Sequence, residues 1–371
     1  MSHNERVRVD AGKALADQPG VGHNRWHPDI EPVVSVEPGV SITLETLDAM
    51  DGQLIATSDE DDVATSNLNR VHPLTGPVFV KGAEPGDLLV INIEDLETSA
   101  SGFTAQIPGF GFLRDVFADP YYVSWKIADH LAESSTLPGV RIPEQAFLGV
   151  MGVAPSASLL ATIAAREKEL ADRGGAVHPP EPQDAVPDDA RIAAEALRTT
   201  PPRETGGNLD VRQLGIGTTL VMPVFVDGAL FSCGDLHFAQ GDGECCGTAI
   251  EVSGSVRLSF GLRKGEAHRR KSASVWFTTL ARGADAARHA LGCLGTTGVC
   301  VDSTGRNESE NATLAARNAL LAMIEMLVSE RGYTEQQAYA ICSVAADLRY
   351  SQVVDVPNFT ASAILPLDIF V

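Results

Sequence analysis

The stretch 206–247 decides how the chain is interpreted, because it combines strand-like segments with acidic residues set among glycines. It contains GGNLD at 206–210, VMPVFVDGALFSCG at 221–234 and DLHFAQGDGECCG at 235–247. The apolar content of the middle segment predicts strands, and polar residues at strand ends beside glycine suit a site where a small ligand approaches the backbone. The alternative is a pair of acidic hairpin turns, since Gly and Asp are ordinary turn residues.

His237 is the most informative residue of this stretch. Side chains repeat every two residues along a strand, so GDLHF is predicted to place Asp235 and His237 on the same side. A carboxylate and an imidazole on one side can bind one metal ion, or the carboxylate can orient the ring. The alternative is a core histidine hydrogen-bonded to its neighbouring aspartate.

Asp210, Asp235 and His237 form a predicted N/O site suited to zinc or another divalent cation. His72 lies just before a predicted strand at 76–81 and is a further candidate beside this site. Glu244 follows in GDGE, where a glutamate in a glycine-lined turn can deprotonate a metal-bound water or protonate a departing amine.

Two neighbours of Glu244 keep other interpretations open. Asp242 is a second acidic candidate for catalysis, although Asp242-Gly243 is equally typical of a type I′ hairpin turn. Cys245 is a possible nucleophile, with Glu244 as its base. A buried structural role is the alternative for Cys245 or Cys246.

Composition limits the classes of function. A chain of 371 residues with a formal charge of −21 lacks the basic surface that sequence-independent nucleic-acid binding requires, and it is unsuited to anionic membranes. No run approaches the ~20 apolar residues that span a bilayer, and the polar leader 1–21 has no signal core. We therefore expect a cytoplasmic enzyme acting on a small molecule, with its six cysteines reduced.

Regularly spaced strands predict a mainly β fold. VEPGVSITLE (36–45) and AEPGDLLVINIE (83–94) both place a type II turn before an alternating strand. Such spacing favours a β-sandwich or barrel. We predict a β-rich body at 22–281 with a helical excursion at 156–200, then a smaller α+β portion at 282–371. Within the body we expect an acidic loop before Leu68 and an exposed position for His178.

Helix signals are concentrated in four places. Helical spacing of apolar residues predicts helices at 156–173, 190–198, 312–333 and 334–348. Gly332 is placed to cap the third, and Thr334 begins a capping-box pattern for the fourth.

Several blocks, taken in order, resemble the acetamidase/formamidase family, and in particular its formamidase branch. They include GHNRWHPDIEP (22–32), HPLTGPVFVKGAEPGDLLVINI (72–93), TPPRETGGNLD (200–210), PVFVDGALFSCGDLHFAQGDGECCGTAIEV (223–252) and VVDVPN (353–358). The resemblance implies hydrolysis of short linear amides to a carboxylic acid and ammonia. It also implies a β-rich body, a homo-oligomer and a metal-dependent reaction. Cys245-Cys246 and a shorter, locally basic region after 262 depart from the family pattern.

The same resemblance supplies further candidate residues. The GGN-x-D motif matches Gly207, Asn208 and Asp210, and GDLHF-x-QGDGE matches 234–244. We therefore take Gly207, Asn208, Gln240 and His72 as candidate substrate-binding residues.

Three functions follow from these residues. In the first, Asp210, Asp235 and His237 hold a metal that activates water and polarises the amide carbonyl, while Glu244 protonates the leaving nitrogen. His237 and Asp242 complete the candidate catalytic set. The second is an amidase with Cys245 as nucleophile. The third is a non-catalytic β protein that binds a ligand or calcium through its acidic turns.

Overall fold

The structure, a computed structural model, describes residues 5–269, 274–280 and 291–370 and is mainly β, as predicted. Most strands lie in two large sheets. In chain order the strands are β1 Glu5–Val7, β2 Gly22–His23, β3 Arg25–Trp26, β4 Val34–Val36, β5 Ser41–Thr46, β6 Leu74–Val80, β7 Leu88–Thr98, β8 Ser101–Gln106, β9 Tyr121–Ala128, β10 Leu131–Glu133, β11 Arg141–Pro143 and β12 Phe147–Val153. They continue with β13 Leu197–Arg198, β14 Gly206–Asn208, β15 Thr219–Pro223, β16 Phe231–His237, β17 Glu251–Val252, β18 Gly254–Arg263, β19 Trp276–Thr279, β20 Cys293–Gly298, β21 Asp347–Gln352 and β22 Thr360–Pro366.

The first sheet joins strands from the whole chain in the order β1-β5-β18-β7-β15-β19-β20-β22-β21. Its last three strands belong to the predicted α+β portion, so that portion extends the sheet of the body. The second sheet follows the path β11-β10-β9-β8-β17-β16-β12-β14, with β6 pairing β16, β2 and β4. One cluster of buried apolar residues contains side chains from both sheets, among them Ile91 and Phe260 from the first and Leu148 and Phe231 from the second.

The type II turns in the segments 36–45 and 83–94 are followed by strands, as the sequence predicts. β5 shows strict alternation of buried and half-buried residues, and β7 starts directly after the second turn. Gly39 and Gly86 have φ of 84° and 94°, values that favour glycine in the third position of a type II turn. β5 and β7 both pair with β18, so the two segments that begin with these turns lie on either side of one strand.

Five described helices surround the sheets: α1 Glu60–Thr65, α2 Ala157–Asp172, α3 Ala190–Glu195, α4 Ala312–Arg331 and α5 Glu335–Ala345. Ser156 caps α2, and Gly332 ends α4 with φ of 72°. Thr334 forms the expected capping box with Gln337. The expectation of a loop before Leu68 is wrong, because Asp59 caps a six-residue helix there. The predicted helix at 190–198 ends earlier, since the chain joins β13.

Helix α4 corrects the expectation that no segment has the length and apolarity to cross a membrane. By length and composition alone it meets that criterion. One such helix is weak evidence, and its buried side chains, including Met323 and Leu327, belong to a cluster with residues of β20 and β22. The predicted boundary at 281/282 and parts of the basic region, 270–273 and 281–290, lie outside the described residues. The division into body and C-terminal portion stays a prediction.

Candidate active site

The site is built around β12, which lies between β16 and β14 in the second sheet. β14 ends at Asn208, and the next two residues turn back onto β12. The backbone N–H groups of Leu209 and Asp210 both donate to the carbonyl of Gly149, at 3.0 and 3.3 Å. Asp210 has φ of 49° and is fully buried, so this turn aims its carboxyl group into the protein.

On the other side of β12, the register pairs Leu148 with Leu236 and Val150 with Gly234. Asp235 therefore falls opposite Gly149, with φ of 56°. A left-handed residue within a strand is unusual and costs energy unless the surroundings hold it. This distortion brings the Asp235 carboxylate towards the same point as Asp210.

Gly149 leaves the space in which these groups meet. A β-carbon at this position would lie 2.4 Å from Asp235 Oδ2, 2.5 Å from Asp210 Oδ1 and 3.0 Å from His237 Cε1. Such distances are shorter than carbon contacts allow. The three residues that the sequence proposes as metal ligands therefore surround one glycine of β12.

His237 is the centre of the acidic groups. Its Nε2 lies 3.1 Å from Asp235 Oδ1, 3.2 Å from Glu251 Oε2 and 3.9 Å from Glu244 Oε1. Glu251 is its direct partner across the β16–β17 pair, and the ring of Phe147 packs edge-on at 4.9 Å. The predicted contact between Asp235 and His237 is thus present, together with two further carboxyl groups.

Asp355, from the loop between β21 and β22, adds a fifth carboxyl group. It accepts a hydrogen bond from Asn208 Nδ2 at 2.9 Å, and the charge of Asp210 acts on it. Glu244 reaches the site from a turn in which it has φ of 47°. We refer to five buried residues as the carboxylate cluster: Asp210, Asp235, Glu244, Glu251 and Asp355.

Burial of so many carboxyl groups changes their affinity for protons. Desolvation, followed by the charge of Asp235, raises the pKa of Asp210 to about 7. Burial likewise raises the pKa of Glu251 to about 7. The pKa values of Glu244 and Asp355 are raised well above their usual range by burial, with the nearby charge of Asp210 adding to the effect. Several of these groups therefore hold protons at neutral pH.

Asp235 and His237 shift as an ion pair. Burial alone would raise the pKa of Asp235, but the charges of His237 and His72 outweigh it and hold this pKa below its usual range. Burial would lower the pKa of His237, but Glu251 and Asp235 raise it well above 6.5. Without a cation, the site thus contains an imidazolium beside a carboxylate.

The cluster has the donors that a divalent cation needs. Two overlapping groups, Asp210–His237–Glu244 and Asp235–His237–Glu251, each have ligand atoms within 4.8 Å of one another. Both oxygens of Asp210, Oδ1 of Asp235 and Oε2 of Glu251 are buried and lack a hydrogen-bond donor among the described residues. Carboxylate oxygens and one imidazole suit a hard or borderline cation. The residues present therefore fit a metal ion, and its identity stays open.

A narrow pocket leads to the cluster. Its floor includes Asp235, Glu244 and Glu251, and its volume open to water is about 40 Å³. A water molecule needs at least ~10–15 Å³ on this measure, so about three waters fit. The other lining residues comprise apolar side chains, most of which belong to one core cluster, and polar ones, namely Ala49, Met50, Leu68, Val71, Ile107, Phe110, His72, His178, Arg198, Thr200, Asn208, Gly247, Thr248 and Asp355.

The candidate substrate-binding residues are divided by the structure. Asn208 and His72 line the pocket. Gln240 does not line the pocket. Its side-chain Nε2 donates to the backbone carbonyls of Asp210 and Ser351, both at 3.1 Å. Gly207 lies in β14 with φ of 93°, and a β-carbon there would be 3.8 Å from the indole nitrogen of Trp26. These two residues support the site rather than line it.

Two other candidates lie away from the pocket. Asp242 is on the surface, where Arg349 Nη1 donates to its Oδ2 at 2.9 Å and Arg212 lies 3.9 Å away. Cys245 is exposed and is not a lining residue, although Glu244 beside it is. Asp242 therefore has a surface ion-pairing role, in line with its alternative interpretation as a turn residue.

The sequence patterns do not identify several site residues. Glu251 is predicted only as part of a strand, and Asp355 lies only within a block of family resemblance. The interpretation of His178 as an exposed loop residue is wrong, because it is half-buried and lines the pocket. Arg198 and Thr200 also line the pocket, and no local sequence pattern predicts this position for either residue. Only the two-residue periodicity of AIEVSG could have indicated that Glu251 faces the His237 side.

The chain is similar in sequence and structure to several known proteins. A profile described as the Acetamidase/Formamidase family matches residues 8–371. An acetamidase of Mycolicibacterium smegmatis is 37% identical over 90% of this chain and 87% of its own length. A formamidase of Methylophilus methylotrophus is 35% identical over 98% and 93%. The solved structure of a gamma lactamase from Delftia acidovorans has a TM-score of 0.74 and 36% identity, covering 99% of this chain and 93% of that one.

The space at Gly149 generates the first prediction. We expect Gly149→Ala to lose bound metal and catalytic activity together, since its β-carbon would displace Asp235, Asp210 and His237. Metal content by elemental analysis and turnover measured on the same preparation check this. The matched control is Gly261→Ala, another strand glycine, where the nearest atom to a β-carbon is 3.5 Å away. Wild-type metal content and activity in Gly149→Ala would contradict the proposed geometry.

Proposed function

The chain belongs to the acetamidase/formamidase family, and we propose that it uses the pocket and the carboxylate cluster to hydrolyse short linear amides. The reaction adds water to the amide carbon and breaks the carbon–nitrogen bond, giving a carboxylic acid and ammonia. Relatives named acetamidase and formamidase are 37% and 35% identical over nearly the whole chain. The observation that carries the proposal is the cluster of buried carboxyl groups around His237, several of which line a small pocket.

The size and lining of the pocket favour small substrates. A volume of about 40 Å³ accommodates about three waters, which is close to the size of a formamide or acetamide molecule. Met50, Val71, Ile107 and Phe110 form its apolar side. The acyl group of the substrate packs on this side, which limits the chain length.

Glu244 is the proposed proton donor to the leaving nitrogen. Amide nitrogen departs readily only once protonated, so the donor must hold a proton at working pH. Burial and the charge of Asp210 raise the pKa of Glu244 well above its usual range, which meets this requirement. Glu251, with a pKa of about 7, is suited to exchange a proton near neutrality.

Asp210, Asp235 and His237 are the proposed ligands of a divalent cation, with zinc as our first choice. Such a cation would lower the pKa of a water molecule to near neutrality and so supply the nucleophile. The chain contributes the rigid placement of these ligands around Gly149 and their shielding from bulk water. Asp235 additionally orients the His237 ring.

Asn208 is the proposed anchor for the amide nitrogen of the substrate. Its Nδ2 is held by Asp355, and its buried Oδ1 has no donor among the described residues. This oxygen can accept a hydrogen bond from the substrate NH₂ group. His72 also lines the pocket, and the charges of Asp235 and Arg198 both act on it.

The alternative nucleophile, Cys245, has less support because its side chain is exposed and outside the pocket lining. The non-catalytic alternative has less support because relatives that match nearly the whole chain are named acetamidase and formamidase.

We also propose a homo-oligomer in the cytoplasm. Phe112, Leu113, Val116 and Phe117 are 47–64% exposed on one loop, and a patch of this kind is typical of a contact surface.

The metal requirement gives the second prediction. Ammonia release from formamide and acetamide is expected to disappear after dialysis against a chelator and to return when zinc is added. A panel that adds butyramide and a γ-lactam tests the limit on substrate size. Full activity in metal-free enzyme would overturn the proposed metal role. A thiol-alkylating reagent that abolishes activity, with protection by substrate, would instead favour Cys245.

Replacement of Glu244 gives the third prediction. Glu244→Gln keeps the shape of the side chain but cannot donate a carboxylic proton, so kcat should fall by about 10²–10⁴ with a smaller change in KM. Steady-state kinetics on acetamide measure this. Glu310→Gln is the matched control, because Glu310 also has a left-handed φ, 57°, but pairs with Arg114 instead. An unchanged kcat in Glu244→Gln would assign the proton transfer elsewhere.

The apolar side gives the fourth prediction. Ile107→Ala should raise kcat/KM for butyramide relative to acetamide by about tenfold, since each methylene that a pocket accepts or rejects is worth roughly 10–200-fold. Competition assays with both amides give this ratio directly. The core change also costs about 2–5 kcal/mol of stability. Ile364→Ala, a buried isoleucine of β22, controls for that loss. An unchanged ratio would place the acyl group elsewhere.

A further inference from the structure

Three polar residues line the same pocket and have no part in the chemistry above. They are Arg198, Thr200 and His178, and we call them the donor wall. Each has a buried polar atom without a hydrogen-bond partner among the described residues: Arg198 Nε, Thr200 Oγ1 and His178 Nε2. A buried polar group without a partner is costly, so three of them beside one small pocket indicate a ligand that satisfies them.

The guanidinium of Arg198 is held in place with its Nε–H unpaired. Each terminal nitrogen makes one hydrogen bond to the protein, since Nη1 donates to Asn69 Oδ1 at 3.1 Å and Nη2 donates to the carbonyl of Leu68. β13 also pairs its backbone with β3. The guanidinium is therefore fixed, and Nε is its one nitrogen without a hydrogen-bond partner among the described residues. Arg198 is 5% exposed, so its charge is poorly screened by solvent.

His178 is held over the pocket by the residues on either side of it. Before it, Ser309 Oγ donates to the carbonyl of Ala176 at 3.0 Å. After it, the fully buried Arg25 donates to the carbonyls of Glu181 and Gln183, at 2.9 and 3.1 Å through Nη2. The proline-rich segment is thus fixed at two points. Burial and the charges of Arg198, Arg203 and His72 lower the pKa of His178 to about 4, so its ring is neutral at pH 7.

The pocket lining therefore contains two chemically opposite sets of groups, four members of the carboxylate cluster and the donor wall. The donor wall supplies the guanidinium of Arg198, the hydroxyl of Thr200 and a neutral imidazole. A primary amide has a matching asymmetry, with an oxygen that accepts hydrogen bonds and an NH₂ group that donates them. Binding in one orientation satisfies both sets, because the oxygen meets the donors and the nitrogen meets Glu244 and Asn208.

We propose that Arg198, Thr200 and His178 bind the carbonyl oxygen of the amide substrate, and then the carboxylate of the product acid. The imidazole takes the tautomer with its proton on Nε2 for this purpose. The inference rests on the proposed amide hydrolysis for the identity of the ligand. It predicts separate sites for the two products, with the carboxylate on the donor wall and ammonium among the carboxyl groups.

Product binding separates these two sets of groups, and it gives the fifth prediction. Acetate is titrated into the full-length protein by calorimetry, and acetate and ammonium are each tested as inhibitors of acetamide hydrolysis. Thr200→Val is nearly isosteric and removes only the hydroxyl, and His178→Leu removes the ring nitrogens. Each is expected to weaken acetate binding by about tenfold or more, because hydrogen bonds to charged groups are strong. Inhibition by ammonium should stay within twofold of wild type.

Matched controls are His130→Leu, a surface histidine paired with Glu144, and Thr162→Val on the exposed side of α2. His178→Gln, which retains a donor near the Nε2 position, should recover most of the acetate binding that His178→Leu loses. Arg198→Lys should raise KM for acetamide more than it changes kcat. If His178→Leu proves unstable, His178→Gln and Thr200→Val still decide the question.

Wild-type acetate affinity in both Thr200→Val and His178→Leu would overturn the inference. Equal weakening of acetate and ammonium binding would also overturn it, because that pattern indicates a general disturbance of the pocket. Failure of the proposed function looks different. An enzyme that releases no ammonia from any amide, but whose acetate binding depends on Thr200 and His178, would keep the donor wall and lose the amidase reaction.

Discussion

The contact between His237 and the buried carboxyl groups is the interaction on which the site depends. An isolated carboxylate is expensive to bury, and five of them can share one buried site only if protons or cations compensate their charge. Here His237 Nε2 lies 3.1 Å from Asp235 and 3.2 Å from Glu251, and its positive charge stabilises Asp235 as an anion. Among the remaining groups, a carboxyl group that binds a cation gives up its proton, whereas one that does not keeps it and is available as an acid. The burial of several carboxyl groups at one site therefore explains both its affinity for a cation and its ability to donate protons.

The backbone carries the strain that this arrangement requires. Asp210, Asp235 and Glu244 all have left-handed φ values, between 47° and 56°. Such conformations are costly for residues other than glycine, and they persist where the surrounding structure enforces them. The enforcing structure is the pairing of β12 with both neighbours, together with the two hydrogen bonds that Gly149 accepts from the turn at Asp210. Asp210 and Asp235, from two separate segments, are thereby fixed to one strand.

The sequence predicted the parts of this arrangement that local patterns record. Alternation and turn chemistry identified the β-rich body, the capped helices α4 and α5, and the shared side of Asp235 and His237. Partners that meet only in the folded protein were not predictable in this way. Glu251 joins His237 across a strand pair, and Asp355 reaches Asn208 from 147 residues away. Likewise, nothing near His178 in the sequence shows that Arg25 holds its segment over the pocket. Asp242 shows the converse, since a suitable residue type at a suitable spacing forms surface ion pairs instead.

The contribution of Asp355 has a consequence for how the protein is made. A chain leaving the ribosome contains the ligand motif of 235–244 long before it contains the loop that follows β21. Only after almost all of the polypeptide has emerged can Asp355 approach Asn208 and Asp210. Contacts between such distant segments form slowly, because the intervening chain must first be ordered. The site is therefore complete only at the end of synthesis, and incomplete chains contain most of the catalytic groups but lack Asp355.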